Sequence, residues 1–147
     1  AVLGLLQVET VAEEVIEAPT ARESAKRFVT ALMDELDRSF PGQVTRRPRL
    51  DDEGLWEVDA LVELPRPVVV VAVASNAAAE QAVAAHAHLH DKVGEGKAFW
   101  AAVPRDIAKI KKSSQRRLRS AFHIPIAEFE PERETVAAKI RQYGKAG

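Results

Sequence analysis

The chain of 147 residues contains no cysteine, which excludes disulfide bonds, thiolate zinc sites and a cysteine nucleophile. Such a composition is typical of a reducing compartment, and we expect a cytoplasmic protein. The apolar run at residues 2–6 is too short to cross a bilayer, and it lacks the basic start and the cleavage site of a signal peptide. The sequence therefore predicts no membrane partner.

Hydrophobic residues make up 46% of the chain and charged residues 29%, a balance that predicts one globular domain over residues 1–147 with a single core. The net charge of −1 hides an asymmetry. Residues 1–40 hold 4 Lys/Arg against 8 Asp/Glu, whereas residues 104–147 hold 11 against 5. The basic C-terminal third can attract a polyanion or pair with the acidic N-terminal segment.

The first half of the chain predicts a helix followed by three strands. Thr20 and Glu23 form a capping box, and apolar residues recur at helical spacing over residues 21–39. The strand candidates are a polar edge strand at 43–50, a second strand at 55–64 and a β-branched apolar strand at 68–75. The third is apolar throughout, as expected of a central strand that is buried on both faces. Residues 1–19 are assigned to an N-terminal extension or strand, and residues 51–54 to a hairpin loop.

The second half predicts alternating helices and strands. The expected elements are a helix from Ser75 to about Lys92, a strand at 98–103, a basic helix from Pro104 to about Ser120, a strand at 122–129 and a helix from Pro131 to about Tyr143. A meander followed by crossovers indicates an α/β fold with a mixed sheet and helices on both faces.

The alternation along the second strand predicts two faces. One face carries Val58, Ala60, Val62 and Leu64, and the other carries Glu57, Asp59, Leu61 and Glu63. This strand and the order of elements resemble the PD-(D/E)XK, or restriction-endonuclease-like, nuclease superfamily. The resemblance covers about residues 21–103 and implies an αβββαβ core with a C-terminal helix–strand–helix elaboration. Family members carry an acid on the second strand and a Glu/Asp-x-Lys pair on the third. Asp59 matches the first acid, but Ala72 and Ala74 stand where the pair is expected.

The resemblance implies that an active site would hold Mg²⁺ or Mn²⁺ on carboxylates, with a lysine to orient the attacking water. Alanine supplies neither function, so we expect no cofactor unless the missing acid has moved. Glu80, on the following helix, is the candidate for a relocated acid. Asp59 is then a vestigial metal ligand, a residual one, or a structural acid at the end of a strand. The alanines at 72 and 74 fit natural loss or deliberate substitution, and natural loss is our expectation.

A second candidate site is basic. Residues 109–119 contain six cations in eleven positions, and on a helix they leave a narrow inward stripe of Ile107, Ile110, Ser114, Leu118 and Ala121. The outer face can contact phosphates, or it is only a solvated face. The residues assigned to nucleic-acid binding are Arg46, Arg47, Arg49, Lys109, Lys111, Lys112, Arg116, Arg117 and Arg119.

Three histidines lie close together in the sequence. His86 and His90 share a helix face at i, i+4, whereas His88 points elsewhere. No cysteine or HExxH glutamate accompanies them, so we do not expect a zinc site.

These observations support three hypotheses. The first is a non-catalytic nuclease-fold protein that binds nucleic acid, with DNA favoured, or that acts in a larger assembly. The second is a divalent-metal-dependent nuclease with a relocated or mutated catalytic pair. The third is a scaffold protein that forms homo-oligomers through its N-terminal segment.

Overall fold

The computed structural model describes residues 20–50, 56–123 and 133–145. The helices are α1 (Ala21–Ser39), α2 (Asn76–Leu89), α3 (Lys112–Ala121) and α4 (Arg133–Tyr143), and short 3₁₀ turns lie at Val93–Gly96 and Ile107–Lys109. The strands are β1 (Val44–Arg46), β2 (Ala60–Val62), β3 (Val68–Val73) and β4 (Phe99–Pro104).

The four strands form one mixed sheet in the order β1-β2-β3-β4. β1 pairs antiparallel with β2, β2 antiparallel with β3, and β3 parallel with β4. The parallel pair requires a crossover, which α2 provides. All six residues of β3 are buried, as expected of a strand with neighbours on both edges and helices on both faces. The predicted α/β class, mixed sheet and central third strand are confirmed.

The helix starts follow from side-chain caps. The Thr20 hydroxyl accepts a hydrogen bond of 3.1 Å from the Glu23 N–H, and α1 has the predicted bounds of 21–39. In the same way, the Ser75 hydroxyl accepts from the Ala78 N–H at 3.1 Å and starts α2. Each cap satisfies one of the N–H groups that a first helical turn leaves unpaired. α2 ends at Leu89, three residues before the predicted end.

Helices cover both faces of the sheet and define two layers. In the α1 layer, α1 and α4 bury aliphatic and aromatic side chains against one face; its largest fully buried members are Phe40, Leu32, Leu36 and Ile140. In the α2–α3 layer, the other face packs against small residues of α2 and against α3; its buried members include Ala79, Ala82, Leu89, Trp100 and Leu118.

The end of α4 lies against the β2–β3 turn. The Arg66 N–H donates to the Gly144 carbonyl at 3.0 Å, and Leu64 lies so close to Gly144 that a Cβ at this position would collide with it. Arg141 donates to the Ser39 carbonyl at 3.1 Å, which ties α4 to the end of α1.

The predicted second strand is too long. β2 covers only residues 60–62, and Val58 packs in the α2–α3 layer while Ala60 packs in the α1 layer. Because residues two apart in a regular strand share a face, the chain must bend at Asp59. The prediction that Val58 and Ala60 share a face is therefore wrong.

The prediction that the basic helix begins at Pro104 is also wrong, because a separate 3₁₀ turn precedes it. The Asp106 carboxylate accepts from the Ala108 N–H at 3.1 Å and caps this turn. The Gln115 side-chain amide then donates to the carbonyls of Ile107 and Ile110 at 3.0 and 2.8 Å. The turn thus packs under the first part of α3, which starts only at Lys112.

Several predicted elements lie outside the described residues. They are the extension at 1–19, the hairpin loop at 51–54, the start of the last helix at Pro131 and all but the first two residues of the strand at 122–129. Those two residues, Phe122 and His123, are not in a strand.

Candidate functional site

The first candidate site is centred on Asp59, where β2 separates from β3. β2 and β3 pair only as far as Ala60 opposite Val70. The next N–H of β3 that points toward β2, that of Ala72, therefore lies beyond the paired part of β2. The Asp59 carboxylate accepts this N–H, from Ala72, at 2.7 Å. The Asp59 carbonyl in turn accepts from the Arg47 N–H at 2.9 Å. One residue thus connects the first three strands at this edge.

Opposing effects act on the Asp59 carboxyl group. Burial raises its pKa above the ordinary value, while the hydrogen bond from Ala72 and the nearby charge of Arg47 lower it, and Glu57 adds a smaller upward effect. The net shift is upward, so burial outweighs the hydrogen bond and the cation. Arg47 reaches this position through a backbone φ of 46°, in the left-handed region where non-glycine residues are uncommon.

Of the expected catalytic pair, the Ala72 position lies next to Asp59 and within the hydrophobic core. Ala72 is 9% exposed and belongs to the α1 layer, and the half-buried Ala74 packs against the same layer. Glu80, the candidate relocated acid, is exposed on α2, which covers the opposite face of the sheet. Its carboxylate lies 3.9 Å from the Arg117 guanidinium. The structure therefore brings Asp59 and Ala72 together and leaves Glu80 in the other layer.

Metal binding at this edge has little support from the donor set. Among residues 20–50, 56–123 and 133–145, no group of three or more acids or histidines is arranged to hold a metal ion. Glu57 is an acid whose charge raises the pKa of Asp59, and one Asp59 oxygen already accepts the Ala72 N–H. These residues do not form an octahedral Mg²⁺ site, and we derive no metal-dependent step from them.

The second candidate site is the outer face of α3. Its buried side is formed by Ser114 and Leu118, as predicted, at 1% and 7% exposure. Lys112, Arg116 and Arg119 are exposed at i, i+4 and i+7. This spacing places them on one face of the helix, over a length of about 10 Å. We call these three residues the cationic stripe.

The segment before α3 extends the positive surface. Lys109 and Lys111 are exposed there, and the Asn76 side-chain oxygen accepts from the Lys111 N–H at 3.0 Å. This contact places the start of α3 beside the start of α2, close to the ends of β3 and β4. Within the part of the chain that the structure describes, neither lysine nor any stripe residue makes an ion pair.

The other predicted phosphate contacts differ in their surroundings. Arg46 forms ion pairs with Asp37 and, at 3.7 Å, with Asp34, both on α1. The hydrogen bond that Arg46 donates to Asp37 is the largest cause of the raised pKa of Arg46. Arg117 faces Glu80. These two cations already have acidic partners, which the sequence alone did not reveal.

Arg47 and Arg49 are exposed at the end of β1 and just after it. Arg47 is the cation whose charge lowers the pKa of Asp59. The nine predicted contacts therefore do not form one continuous basic surface. The stripe lies on α3, and Lys109 and Lys111 lie in the segment just before it.

The histidines form a cluster that the sequence pattern shows only in part. His86 and His90 stack with ring centroids 5.1 Å apart, and His88 instead packs on Trp56 at 5.2 Å. His123 joins from the end of α3, 6.3 Å from His86. No sequence signal pointed to His123, because it is an isolated histidine 33 residues after His90.

Among the described helices, none has the length and apolar content needed to cross a bilayer. The fold and its two candidate sites define an α/β protein with a four-stranded mixed sheet, a half-buried acid at one edge and a cationic helix on one layer. In comparisons with family models, curated proteins and solved structures, none matches this chain.

Proposed function

We propose that this protein is a non-catalytic member of the restriction-endonuclease-like fold that binds nucleic acid, with DNA favoured, through the cationic stripe of α3. The strand order, with two antiparallel pairs followed by a parallel pair across a helix, supports the αβββαβ plan. The alanines at 72 and 74 support the absence of hydrolysis, because neither can bind a metal or activate water.

The observation that carries the binding proposal is the exposure of Lys112, Arg116 and Arg119 on one helix face without acidic partners among the described residues. Cations in such a row can each neutralise a phosphate and release its condensed counterion. The adjacent Gln115 has its amide engaged by two carbonyls, and the remaining exposed neighbours, Ser113 and Ser120, are short. The stripe therefore suits backbone contact more than the reading of base edges.

The test is fluorescence anisotropy with a labelled 20-base-pair duplex and a labelled single strand, from about 50 to 300 mM salt. For three duplex contacts we expect log K to fall with log salt at a slope of about −2.7. The triple variant Lys112→Gln/Arg116→Gln/Arg119→Gln should lose about 30-fold or more in affinity at the lowest salt, together with most of the slope.

Arg117→Gln is the matched control, since it removes one charge from the same helix at a position that faces Glu80. We expect its affinity to stay within about threefold of the unmodified chain. Absence of binding to both probes at about 50 mM salt would end the proposal. An equal loss in Arg117→Gln and Arg116→Gln would show that only net charge matters and that the stripe is not the binding site.

One observation favours a second candidate, a divalent-metal-dependent nuclease. The Asp59 carboxylate lies directly beside the β3 backbone at Ala72, 2.7 Å from its N–H, so a second acid at 72 would lie near it. Ala72→Glu/Ala74→Lys should then cleave DNA with Mg²⁺ or Mn²⁺, and adding Asp59→Asn should abolish cleavage. Metal-dependent cleavage by the unmodified chain would replace the non-catalytic proposal with this one.

A further inference from the structure

We propose that His86, His90 and His123 form a pH-sensitive clasp that holds the end of α3 against β4 and α2 while His86 and His123 are neutral, and releases it when these two become protonated. The end of α3 means residues 118–122. The clasp lies at the opposite end of α3 from the Asn76–Lys111 contact, and the observations that support it do not rest on nucleic-acid binding.

The first part of the clasp is a pair of hydrogen bonds to one residue of β4. The His123 N–H donates to the Trp100 carbonyl at 3.0 Å, and the Trp100 N–H donates to His123 Nδ1 at 3.1 Å. A ring nitrogen can accept only when it carries no proton. Protonation of His123 at Nδ1 therefore removes the second bond and leaves the Trp100 N–H, on a fully buried residue, without its partner.

The second part is the packing around His86, on α2. Its ring contacts Trp100 edge-on at 5.0 Å and Phe122 at 5.5 Å, and it stacks on His90 at 5.1 Å. His90 Nδ1 lies 3.0 Å from the His86 carbonyl, so this nitrogen is the donor. The His86 ring thus lies between the helix that carries it, the start of β4 and the end of α3.

The described groups that face His86 provide no negative charge. From α2 it is faced by His90, from the segment after α3 by His123, and the contacts from β4 and α3 are the uncharged rings of Trp100 and Phe122. The pKa of His86 is lowered to about 4, mainly by burial and in smaller part by the charges of His90 and His123. Burial also lowers the pKa of His123. Among the residues that the structure describes, no carboxylate contributes to either shift.

The sign of the pH effect follows from these directions. A histidine whose folded pKa lies below its ordinary value of 6.5 stabilises the packed state above that ordinary value, and the contribution is lost as pH falls toward the folded pKa. If His86 regains its ordinary pKa on release, the opening equilibrium increases tenfold to about thirtyfold between pH 7.5 and 5.0. Release should therefore develop below about pH 6.5.

The test is hydrogen exchange of the full chain from pH 7.5 to 5.0, with each rate corrected for the intrinsic pH dependence of exchange. Protection at residues 118–122 and at the Trp100 amide should fall by the stated tenfold to thirtyfold. Protection at Leu32 and Val70, in the α1 layer, should change by less than about threefold. A parallel loss in that layer would indicate global unfolding and overturn the clasp, as would unchanged protection of residues 118–122.

Variants separate the clasp from other acid effects. His86→Phe/His123→Asn keeps a ring at 86 and a side-chain oxygen acceptor at 123, and its protection should not depend on pH over this range. His88→Gln, which removes the histidine that packs on Trp56, should behave like the unmodified chain. The proposal fails if the double variant still loses protection at pH 5.0. If the double variant does not fold, the exchange profile of the unmodified chain decides alone.

Discussion

The two layers that cover the sheet are built from different residues. The α1 layer buries large apolar side chains, including Leu32, Leu36 and Phe40, and its buried acid, Glu35, is paired with Arg38 in the next turn. The α2–α3 layer packs mainly alanines from α2. Three buried polar atoms among the described residues have no hydrogen-bond partner: Glu35 Oε2, which contacts Arg38 only as an ion pair, and, in the α2–α3 layer, Trp100 Nε1 and Ser114 Oγ.

The difference separates stability from candidate function. Burial of large apolar side chains is the main favourable contribution to folding. Helix α1 supplies several of them, whereas α2 buries three alanines and Leu89. The α2–α3 layer carries stacked histidines and a cationic outer face. Such features cost stability and are expected where a surface has a task beyond folding. The predictions below test whether this separation holds.

The largest effect is expected in the α1 layer. Leu32 is 0% exposed at the centre of α1, and Leu32→Ala should lower the free energy of unfolding by about 3 kcal/mol, within the usual range of 2–5. Ala82→Gly, at a buried position of α2, should cost only about 1 kcal/mol. Urea titration of both variants measures the two values. Similar losses in both would remove the energetic difference between the layers.

The next effect concerns Asp59, at the boundary of the layers. Asp59→Ala leaves the Ala72 N–H without its acceptor and should cost about 1–2 kcal/mol at pH 7. Asp59→Asn keeps an acceptor without a buried charge and should be as stable as the unmodified chain or slightly more stable. Urea titrations at pH 7 compare the three proteins.

Titration of the Asp59 carboxyl group should change folding stability with pH in the opposite direction to titration of His86. Because the folded pKa of Asp59 is raised, ionisation of this group opposes folding at neutral pH, and its protonation adds stability as pH falls through the folded pKa. Asp59→Asn should remove this contribution. If Asp59→Asn is instead clearly less stable at pH 7, the carboxylate makes a favourable charge interaction that outweighs the energetic cost of burying its charge.

Much of the fold could be predicted because local signals agree with the packing. The capping box at Thr20 and the apolar periodicity that follows it gave α1 with its observed bounds, and the β-branched run at 68–73 gave the central strand. The predictions failed where a side chain replaces a regular backbone bond. Asp59 takes the place of a strand partner and shortens β2. Asp106 and Gln115 form a turn where the pattern predicted helix.

The candidate sites were less predictable because they depend on contacts between residues distant in sequence. A row of basic residues gives no indication of which members already have acidic partners. Arg46 meets the acids of α1 only because β1 folds back beside that helix. His123 meets Trp100 only through the tertiary fold. Sequence reasoning therefore found the basic helix but not the subset of cations that remains unpaired on it.

The smallest expected effects test the distinction between a cation with acidic partners, on the α1 side, and a cation of the stripe. Arg46 belongs to the α1 side through Asp37 and Asp34, and Arg116 belongs to the stripe. Arg46→Gln removes an exposed ion-pair network and should shift Tm by less than about 2 °C, with no change in the salt slope of DNA binding. Arg116→Gln should leave Tm unchanged and reduce the salt slope by about 0.9.

Thermal melts and anisotropy titrations of the same two proteins give both readouts. Because the two variants make the same change of net charge, any difference between them reports position and not charge. A loss of salt slope in Arg46→Gln would mean that DNA competes successfully with the α1 acids for this arginine. The binding surface would then extend around the sheet edge from α3 to β1, and the assignment of binding to one layer would be wrong.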